Sequence, residues 1–523
     1  MRRRDFCAGL SITSLTAGQA WAQAAPAPLP APNRLAAKLD DWVAPQFTRI
    51  VVARWGDAVL PTAPDFSPNP LTGEQADSQF PYDGVIAGLI TPPPAEDGIP
   101  RLILAVATPD VPARMVFAPN ADHPDVAGRL QGVTVLNLQY LQGRWKTVDG
   151  GYQSRRISDG TLCQISGPVT AAIGTSVQGI LGPSAGTATP WGTVLLTEDD
   201  TANWLARLSS VGYGYGAPTQ APCFGWVVEF NPDDPGSIPV KRTALGRLRR
   251  AGITSTQTQD GRPVVFFTED TSNGRLFRFV AATNATDGTA LDSGQLSVAQ
   301  ISESGINWVA LGRDVPTLAG LAGAAGGSAF DSPGGLALSP DGAMLYLACA
   351  GNPSRTSPDA LNPRAGDDNG HVIAFDLPGH DATASSFDGR LVLVAGNPAT
   401  TQGASYAPDS TAWLRKPRTL NVDGQDNLWI GTDQGGDTSL TADGFFVLPL
   451  LGGEIGPLSA GYLAPIGAAA GGVAFDAQTR TGFAMVRHPG ATPSASFNFP
   501  ATRWPTLDPD LPPQSTLIGL VGT

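Results

Sequence analysis

The sequence predicts an all-β protein of the propeller type, built from many short strands. Its 523 residues include 62 Gly and 47 Pro, which keep element interiors short and turns numerous. From about Phe47 onward the dominant unit is a β-rich run bounded by Gly, Pro, Asp or Asn, as expected for all-β folds. Three stretches, 335–347, 419–430 and 472–484, each read as a strand, an Asp or Gly turn and a second strand. This is the pattern of the inner hairpin of a propeller blade.

The three stretches are irregularly spaced, so the predicted propeller must carry insertions between its blades. On pattern alone a generic β-sandwich stays open as the alternative. Repetitive all-β folds commonly exceed about 150 residues as one unit, and we expect residues 47–523 to form a single domain. Residues 25–46 are expected to hold an Ala/Pro spacer followed by a short helix over Leu35–Val43.

Residues 1–24 have the features of a twin-arginine (Tat) signal peptide. Residues 3–6 read Arg-Arg-Asp-Phe, and a moderately apolar stretch leads to small-x-small cleavage sites ending at Ala22 and Ala24. A basic N-terminal arm with a short helix is the alternative. We therefore expect a periplasmic or secreted protein that the Tat export machinery carries in its folded state.

Composition excludes other classes of partner. The formal net charge of -13 disfavours nucleic-acid binding, because neutralising phosphates requires an excess of Lys and Arg. After the leader no run of about 20 apolar residues occurs, so no membrane span is expected in the mature chain. The cysteines left after the leader do not form a disulfide framework, although one bridge stays open; they are Cys163, Cys223 and Cys349. The histidines lack paired zinc-ligand spacing; they are His123, His371, His380 and His488.

A family resemblance covers most of the mature chain. Residues 225–235 read Gly-Trp-Val-Val-Glu-Phe-Asn-Pro-Asp-Asp-Pro, and residues 239–247 read Pro-Val-Lys-Arg-Thr-Ala-Leu-Gly-Arg. Together they closely resemble the signature of the PhoX-type alkaline phosphatase family. Shorter family-like pieces follow the same order along the chain; they are residues 154–157, 165–168, 189–193, 276–280, 428–433 and 487–490.

The resemblance implies a six-bladed β-propeller-like fold with insertions and a phosphomonoesterase centre that holds iron and calcium ions. In the family, a Trp-Gly-Thr strand ends in Cys-Glu-Glu-Asn, whose carboxylates bind metal. Residues 197–200 here read Thr-Glu-Asp-Asp and keep oxygen donors suited to calcium. The family's iron-binding cysteine lies shortly before Trp191, where this chain has Ser184. A hydroxyl is a much poorer iron ligand than a thiolate.

Other site segments of the family are altered as well. Its His-Glu pair is Arg-Ala at 250–251, its Arg-Pro-Glu is Ser-Pro-Gly at 332–334, its Asn-His-Glu is Ala-Thr-Pro at 107–109, and its Ser-Pro-Asp is Lys-Pro-Arg at 416–418. Packed multivalent cations repel one another unless carboxylates lie between them. We therefore expect iron to be nearly absent.

Several acidic side chains remain at strand ends, where hard cations such as calcium find oxygen ligands. The predicted calcium ligands are Glu198, Asp199, Asp270 and Asp433. Turn formation and solvation are the alternative role for these acids. The loops at 367–369 and 423–427 are further calcium candidates that lack the spacing of an EF-hand.

Two function classes follow. The first is an exported phosphatase whose metal-dependent phosphomonoester hydrolysis is weak or lost, with a phosphorylated small molecule as its partner. The second is a non-catalytic propeller that binds a small molecule or a protein in its funnel. No catalytic residue is assigned, since neither a Gly-x-Ser-x-Gly elbow nor a phosphate-binding Gly-x-x-x-x-Gly-Lys loop is present.

The leader assignment predicts that replacing Arg3 and Arg4 together with Lys blocks export, because the Tat receptor recognises the guanidinium pair. Fractionation of cells that express the variant checks this. Normal accumulation of the variant in the periplasm would contradict the Tat assignment.

Overall fold

The computed structural model describes residues 35–212, 220–286, 288–313, 318, 321–437, 441–451 and 454–522. Within them, six antiparallel blades surround a central axis, because the innermost strand of each blade contacts the innermost strand of the next until the ring closes. The predicted six-bladed propeller is confirmed. The predicted signal peptide and most of the predicted spacer, residues 1–34, lie outside the described part.

Each blade has a core of four strands. Blade 1 comprises β3 (Val85–Ile90), β4 (Arg101–Thr108), β5 (Gly132–Leu141) and β6 (Arg144–Thr147), with β7 (Arg155–Ile157) added beside β5. Blade 2 comprises β10 (Pro183–Ala188), β11 (Val194–Glu198), β12 (Val227–Phe230) and β13 (Val240–Arg242), extended by β8 (Leu162–Ser166) and β9 (Ser176–Gln178). Blade 3 comprises β14 (Arg250–Gln257), β15 (Pro263–Glu269), β16 (Leu276–Ala281) and β17 (Gly294–Ile301).

The remaining blades follow the same order from the axis outward. Blade 4 comprises β19 (Pro333–Leu338), β20 (Met344–Cys349), β21 (His371–Asp376) and β22 (Ser386–Val394), and β18 (Gly305–Arg313) joins it to blade 3. Blade 5 comprises β23 (Pro417–Val422), β24 (Asn427–Thr432), β25 (Gly444–Leu451) and β27 (Ser459–Leu463), with β26 (Glu454–Ile455) and β1 (Trp42–Val43) added. Blade 6 comprises β28 (Ala469–Asp476), β29 (Thr481–Arg487), β30 (Thr516–Gly522) and β2 (Phe47–Arg54).

The hairpins expected from the sequence pattern are confirmed. The stretches 335–347, 419–430 and 472–484 are the β19–β20, β23–β24 and β28–β29 hairpins, the inner hairpins of blades 4, 5 and 6. Blade 6 is completed by β2 from the beginning of the described chain, which pairs with β30 from its end. That pairing closes the ring.

Strand β15 illustrates how the blades pack. Val265 and Phe267 lie in a core shared with blade 2, whereas Val264 and Phe266 lie in a core shared with blade 4. All four side chains are fully buried. Because successive side chains point to opposite faces, a strand between two blades is apolar on both faces, which explains its unbroken apolar run.

The described helices are short and lie in the connections. They are α1 (Gly73–Ser78), α2 (Ala113–Val116), α3 (Pro124–Leu130), α4 (Thr170–Ile173), α5 (Thr201–Ser209) and α6 (Leu321–Ala324). Helix α3 contacts both α1 and α5. None of the described helices is long and apolar enough to cross a bilayer.

The helix expected over Leu35–Val43 is wrong. The segment is irregular and ends in β1, which pairs with β27 of blade 5. The carbonyl of Leu35 accepts from the N–H of Ala442, and the carbonyl of Lys38 accepts from the N–H of Ile466. Because these carbonyls bond to blade 5 and its neighbouring loop, they are not used for a helical turn.

Candidate functional site

All six blades present the same connections at one end of the ring, which we call the funnel end. There the innermost strands begin and the second strands finish. The innermost strands begin at Val85, Pro183, Arg250, Pro333, Pro417 and Ala469, and the second strands finish at Thr108, Glu198, Glu269, Cys349, Thr432 and Arg487. Side chains just before the first set and just after the second set therefore share one end of the molecule.

Asp199 and Asp270, which directly follow β11 and β15, lie together at the funnel end. Arg249 donates from Nε to Asp199 at 2.9 Å and its Nη2 lies 3.5 Å from Asp270. Burial and the neighbouring Asp270 raise the pKa of Asp199 to about 6, against the opposite effect of Arg249. Burial would raise the pKa of Asp270 too, but Arg418, whose Nη2 donates to it at 2.8 Å, holds that pKa below its usual value.

Asp433, which follows β24, belongs to a second group of charges. Arg487 forms two bonds with buried Asp83, at 2.9 and 2.8 Å, and its Nη1 lies 3.4 Å from Asp433. Burial alone would raise the pKa of Asp433, but Arg487 and, more weakly, His488 hold it below its usual value. The two groups lie at the same end of the ring, and together we call them the carboxylate–arginine network. Its members are Asp83, Asp199, Asp270, Asp433, Arg249, Arg418 and Arg487.

Glu198 is not part of this network. Its side chain is fully buried inside blade 2, where Lys241 Nζ donates to Oε1 at 2.6 Å. The backbone N–H of Leu181 also donates to Oε1, and the N–H groups of Gly225 and Trp226 donate to Oε2. Both oxygens are occupied, so the structure separates Glu198 from the three predicted ligands at the funnel end.

The positions at which the resemblance leads one to expect metal ligands hold groups of a different kind. Arg250 is fully buried and donates to backbone carbonyls, including those of Leu245 and Leu248. Burial lowers its pKa to about 9. The Ser184 hydroxyl donates to the carbonyl of Arg250 at 2.7 Å. Neither side chain is available to a metal ion.

Gly334 and Arg418 replace two expected carboxylates together. A Cβ at Gly334 would lie 2.9 Å from the carbonyl oxygen of Arg418 and 3.4 Å from its Cδ. The Arg418 side chain therefore runs past the position that a glutamate at 334 would need. The glycine gives the arginine room to reach Asp270.

The residues present do not fit the iron–calcium centre. Among the described residues of the funnel network, three guanidinium groups stand beside four carboxylates. None of the three cysteines offers iron a thiolate in this network. Cys163 lies on β8 and Cys223 in the turn before β12, and Cys349, although it ends β20, is buried in an apolar core. Fixed cations next to the carboxylates oppose a cluster of multivalent ions.

In the two further acidic loops, the aspartate side chains accept hydrogen bonds from backbone N–H groups of the same loop. The Asp423 carboxylate accepts from the N–H groups of Gln425 and Asn427 in the β23–β24 turn, which matches the alternative role of turn formation. Asp367 accepts from Arg364 and from the N–H of Asn369.

Sequence reasoning missed Arg249, Arg418 and Arg487 as site residues. A usable signal was present, because Arg418 stands where the family has an aspartate and Arg487 lies in a family-like piece at 487–490. A cation that appears where a metal-binding carboxylate is lost can take over the charge of the metal. The pairings themselves join residues from different blades, so spacing along the chain does not reveal them.

The Glu198–Lys241 pair predicts a large stability effect. Glu198→Gln leaves a buried ammonium without its counter-charge, and we expect the free energy of unfolding to fall by about 3–5 kcal/mol. Urea unfolding of the purified protein measures this. Adding Lys241→Met should restore part of the loss, and a fall below about 1 kcal/mol for Glu198→Gln would show that the pair is solvated.

Comparisons with known proteins agree with this architecture. The profile of the family described as Alkaline phosphatase PhoX matches residues 33–490. The chain is similar to the structure of Pseudomonas fluorescens PhoX in complex with vanadate, a transition state analogue, with 23% identity and a TM-score of 0.81, covering 93% of this chain and 97% of that one. At this identity the likeness shows the fold.

Two further structures are much less similar. A gluconolactonase from Xanthomonas campestris has 13% identity and a TM-score of 0.32, covering 84% of this chain and 96% of that one. A chain of a nidogen/laminin complex has 10% identity and a TM-score of 0.31, covering 79% and 93%. The comparison with curated proteins gave no match.

The family profile spans most of the chain, and the resemblance carried by the motifs at 225–235 and 239–247 is confirmed. The chain belongs to the alkaline phosphatase PhoX family.

Proposed function

We propose that this protein binds a phosphorylated small molecule at its funnel end through arginines, and that the metal-dependent hydrolysis of its family is weak or lost. The observation that carries the proposal is Arg418, which stands where the resemblance leads one to expect a carboxylate and which lies with Arg249 and Arg487 among the carboxylates of the funnel end. Guanidinium groups recognise phosphate by paired N–H donors and charge. They do not supply the nucleophile that a metal ion generates from water.

Donors remain for such a ligand after the internal pairings are made. In the described residues Arg418 uses only Nη2, toward Asp270, and its side chain is 30% exposed. Arg249 is 55% exposed and pairs through Nε and Nη2. The N–H groups of Arg418 Nε and Nη1 and of Arg249 Nη1 can therefore donate to an oxyanion.

We keep the predicted calcium site as a proposal and expect its occupancy to be low. Its predicted ligands are Glu198, Asp199, Asp270 and Asp433. Glu198 has both oxygens occupied, and Arg249 and Arg418 compete with calcium for the oxygens of Asp199 and Asp270. Hard cations bind best where carboxylates are not already neutralised. The metal-dependent phosphatase remains the competing function.

The leader supports a proposed location in the periplasm or outside the cell, with the Tat machinery as export partner. A binding protein of this kind would meet its ligand there.

Binding and turnover together test the proposal. Inorganic phosphate and a generic phosphomonoester should bind wild-type protein without detectable hydrolysis. Arg418→Met should weaken binding about tenfold or more, because a hydrogen bond to a charged group contributes about 1.5–3 kcal/mol. Isothermal titration calorimetry measures the affinity.

The matched control is Arg390→Met. Arg390 lies on β22, at the outer edge of blade 4, and pairs with Asp376 at 3.0 Å. The Arg390→Met variant should bind phosphate with the same affinity as the wild type. Equal affinity in the Arg418 and Arg390 variants, or no phosphate binding by the wild type, would contradict the funnel site.

The raised pKa of Asp199 predicts the pH dependence of anion binding. Asp199 is ionised above pH 6 and neutral below it, since its pKa is about 6. Its negative charge beside Arg249 is therefore lost as pH falls, and sulfate, which stays a dianion, should bind more tightly below pH 6 than above. In Asp199→Asn the affinity should stay nearly constant across this range, and a wild-type affinity that rises with pH would contradict the assignment.

A further inference from the structure

A second group of potential metal ligands lies inside blade 4, and none of its members belongs to the carboxylate–arginine network. Asp331 precedes β19, Asp367 lies near the end of the connection from β20 to β21, and His371 is the first residue of β21. One ligand atom from each lies within 4.8 Å of the others. All three residues are buried, and Asp331 and His371 have no exposed surface.

The His371 side chain lacks hydrogen-bond partners. Neither ring nitrogen makes a hydrogen bond to any described residue, and Oδ2 of buried Asp331 makes none either. Leaving a buried donor or acceptor unpaired costs about 1–3 kcal/mol. Only one nitrogen of the His371 ring can face the space between the three residues, and together with the unpaired Oδ2 of Asp331 it indicates that a ligand occupies that space.

The neighbouring residues hold the two carboxylates in place. Arg355 Nε donates to Oδ1 of Asp331. Arg364 donates to Oδ1 of Asp367 at 2.7 Å. Asp331 thus keeps its Oδ2 without a hydrogen bond, and Asp367 Oδ2 accepts only from the backbone N–H of Gly370 at 3.2 Å and has a lone pair left. Outer groups orient metal ligands in this way.

Distance and charge both suit a cation. His371 Nδ1 lies 3.8 Å from Asp367 Oδ2, too far for a hydrogen bond, whereas two ligands about 2.1 Å from a tetrahedral ion are about 3.4 Å apart. Asp359 also pairs with Arg355. The group therefore has three carboxylates and two guanidinium groups, so one negative charge is left to attract a cation. The carboxylates are those of Asp331, Asp359 and Asp367, and the guanidinium groups are those of Arg355 and Arg364.

We propose that Asp331, Asp367 and His371 bind one divalent transition-metal ion of the zinc type. The mixed oxygen and nitrogen donors match such ions better than calcium. The site fastens the long connection at 350–370, which carries Asp367, to the beginning of β19 and β21. Its role is structural and independent of the funnel.

Histidine spacing along the sequence did not suggest zinc, because His371 is the only histidine among these ligands. The fold supplies the two aspartates from other segments.

The experiment uses full-length protein, unfolded in urea with a chelator, dialysed and refolded with Zn²⁺ or without metal. Elemental analysis should find about one zinc per chain, and the melting temperature should be higher with zinc. The His371→Gln variant should contain less zinc than the wild type by a factor of at least about ten. His380→Gln, on the exposed turn Pro378–His380 of the same blade, is the matched control and should bind zinc normally.

Wild-type protein that refolds without binding zinc, and melts at the same temperature with and without it, would overturn the proposal and assign the space to buried water. Equal zinc content in the His371 and His380 variants would overturn it as well. If the His371→Gln variant does not fold, the comparison of wild-type protein refolded with and without zinc still tests the proposal. Asp270→Asn should keep its zinc, which separates this site from any ion at the funnel end.

Discussion

The salt bridge between Asp270 and Arg418 connects blade 3 to blade 5 across the intervening blade 4. It forms at 2.8 Å, and Gly334 of blade 4 packs so closely on the Arg418 backbone that a Cβ there would lie 2.9 Å from the Arg418 carbonyl oxygen. Asp270 also lies beside Arg249 and Asp199, and Arg487 pairs with Asp83 and Asp433 at the same end of the ring. Three guanidinium groups thus neutralise most of the charge of four carboxylates, and the chemistry proposed for the funnel follows from that pairing.

The closed ring makes this balance rigid. Strands such as β15 are packed on both faces, and the β2–β30 pairing joins the two ends of the described chain. The residues of the carboxylate–arginine network lie within two residues of the strand ends. A guanidinium on such a scaffold is pre-organised, which favours recognition of an oxyanion. The iron–calcium centre that the resemblance implies would need carboxylates in place of Gly334 and Arg418.

Local patterns predicted the fold better than the site. The turn residues and apolar runs at 335–347 or 472–484 are enough to specify a hairpin, because both strands are close in sequence. The segment Leu35–Val43 was mistaken for a helix because its hydrogen-bond partners, such as Ala442, lie about four hundred residues away. The sequence identified acidic residues at the strand ends, but it did not identify the basic residues that pair with them. Glu198 has its counter-charge at Lys241, in a strand whose pairing the sequence does not reveal.

The central claim is that fixed guanidinium groups have replaced the family's metal centre. The most direct test is elemental analysis of purified, exported wild-type protein for iron, with phosphomonoester turnover assayed on the same sample in the presence of calcium and iron. The account predicts far less than one iron per chain and turnover near background. Stoichiometric iron with robust turnover would contradict it and would show that the carboxylates of the funnel release their arginines to a working metal centre.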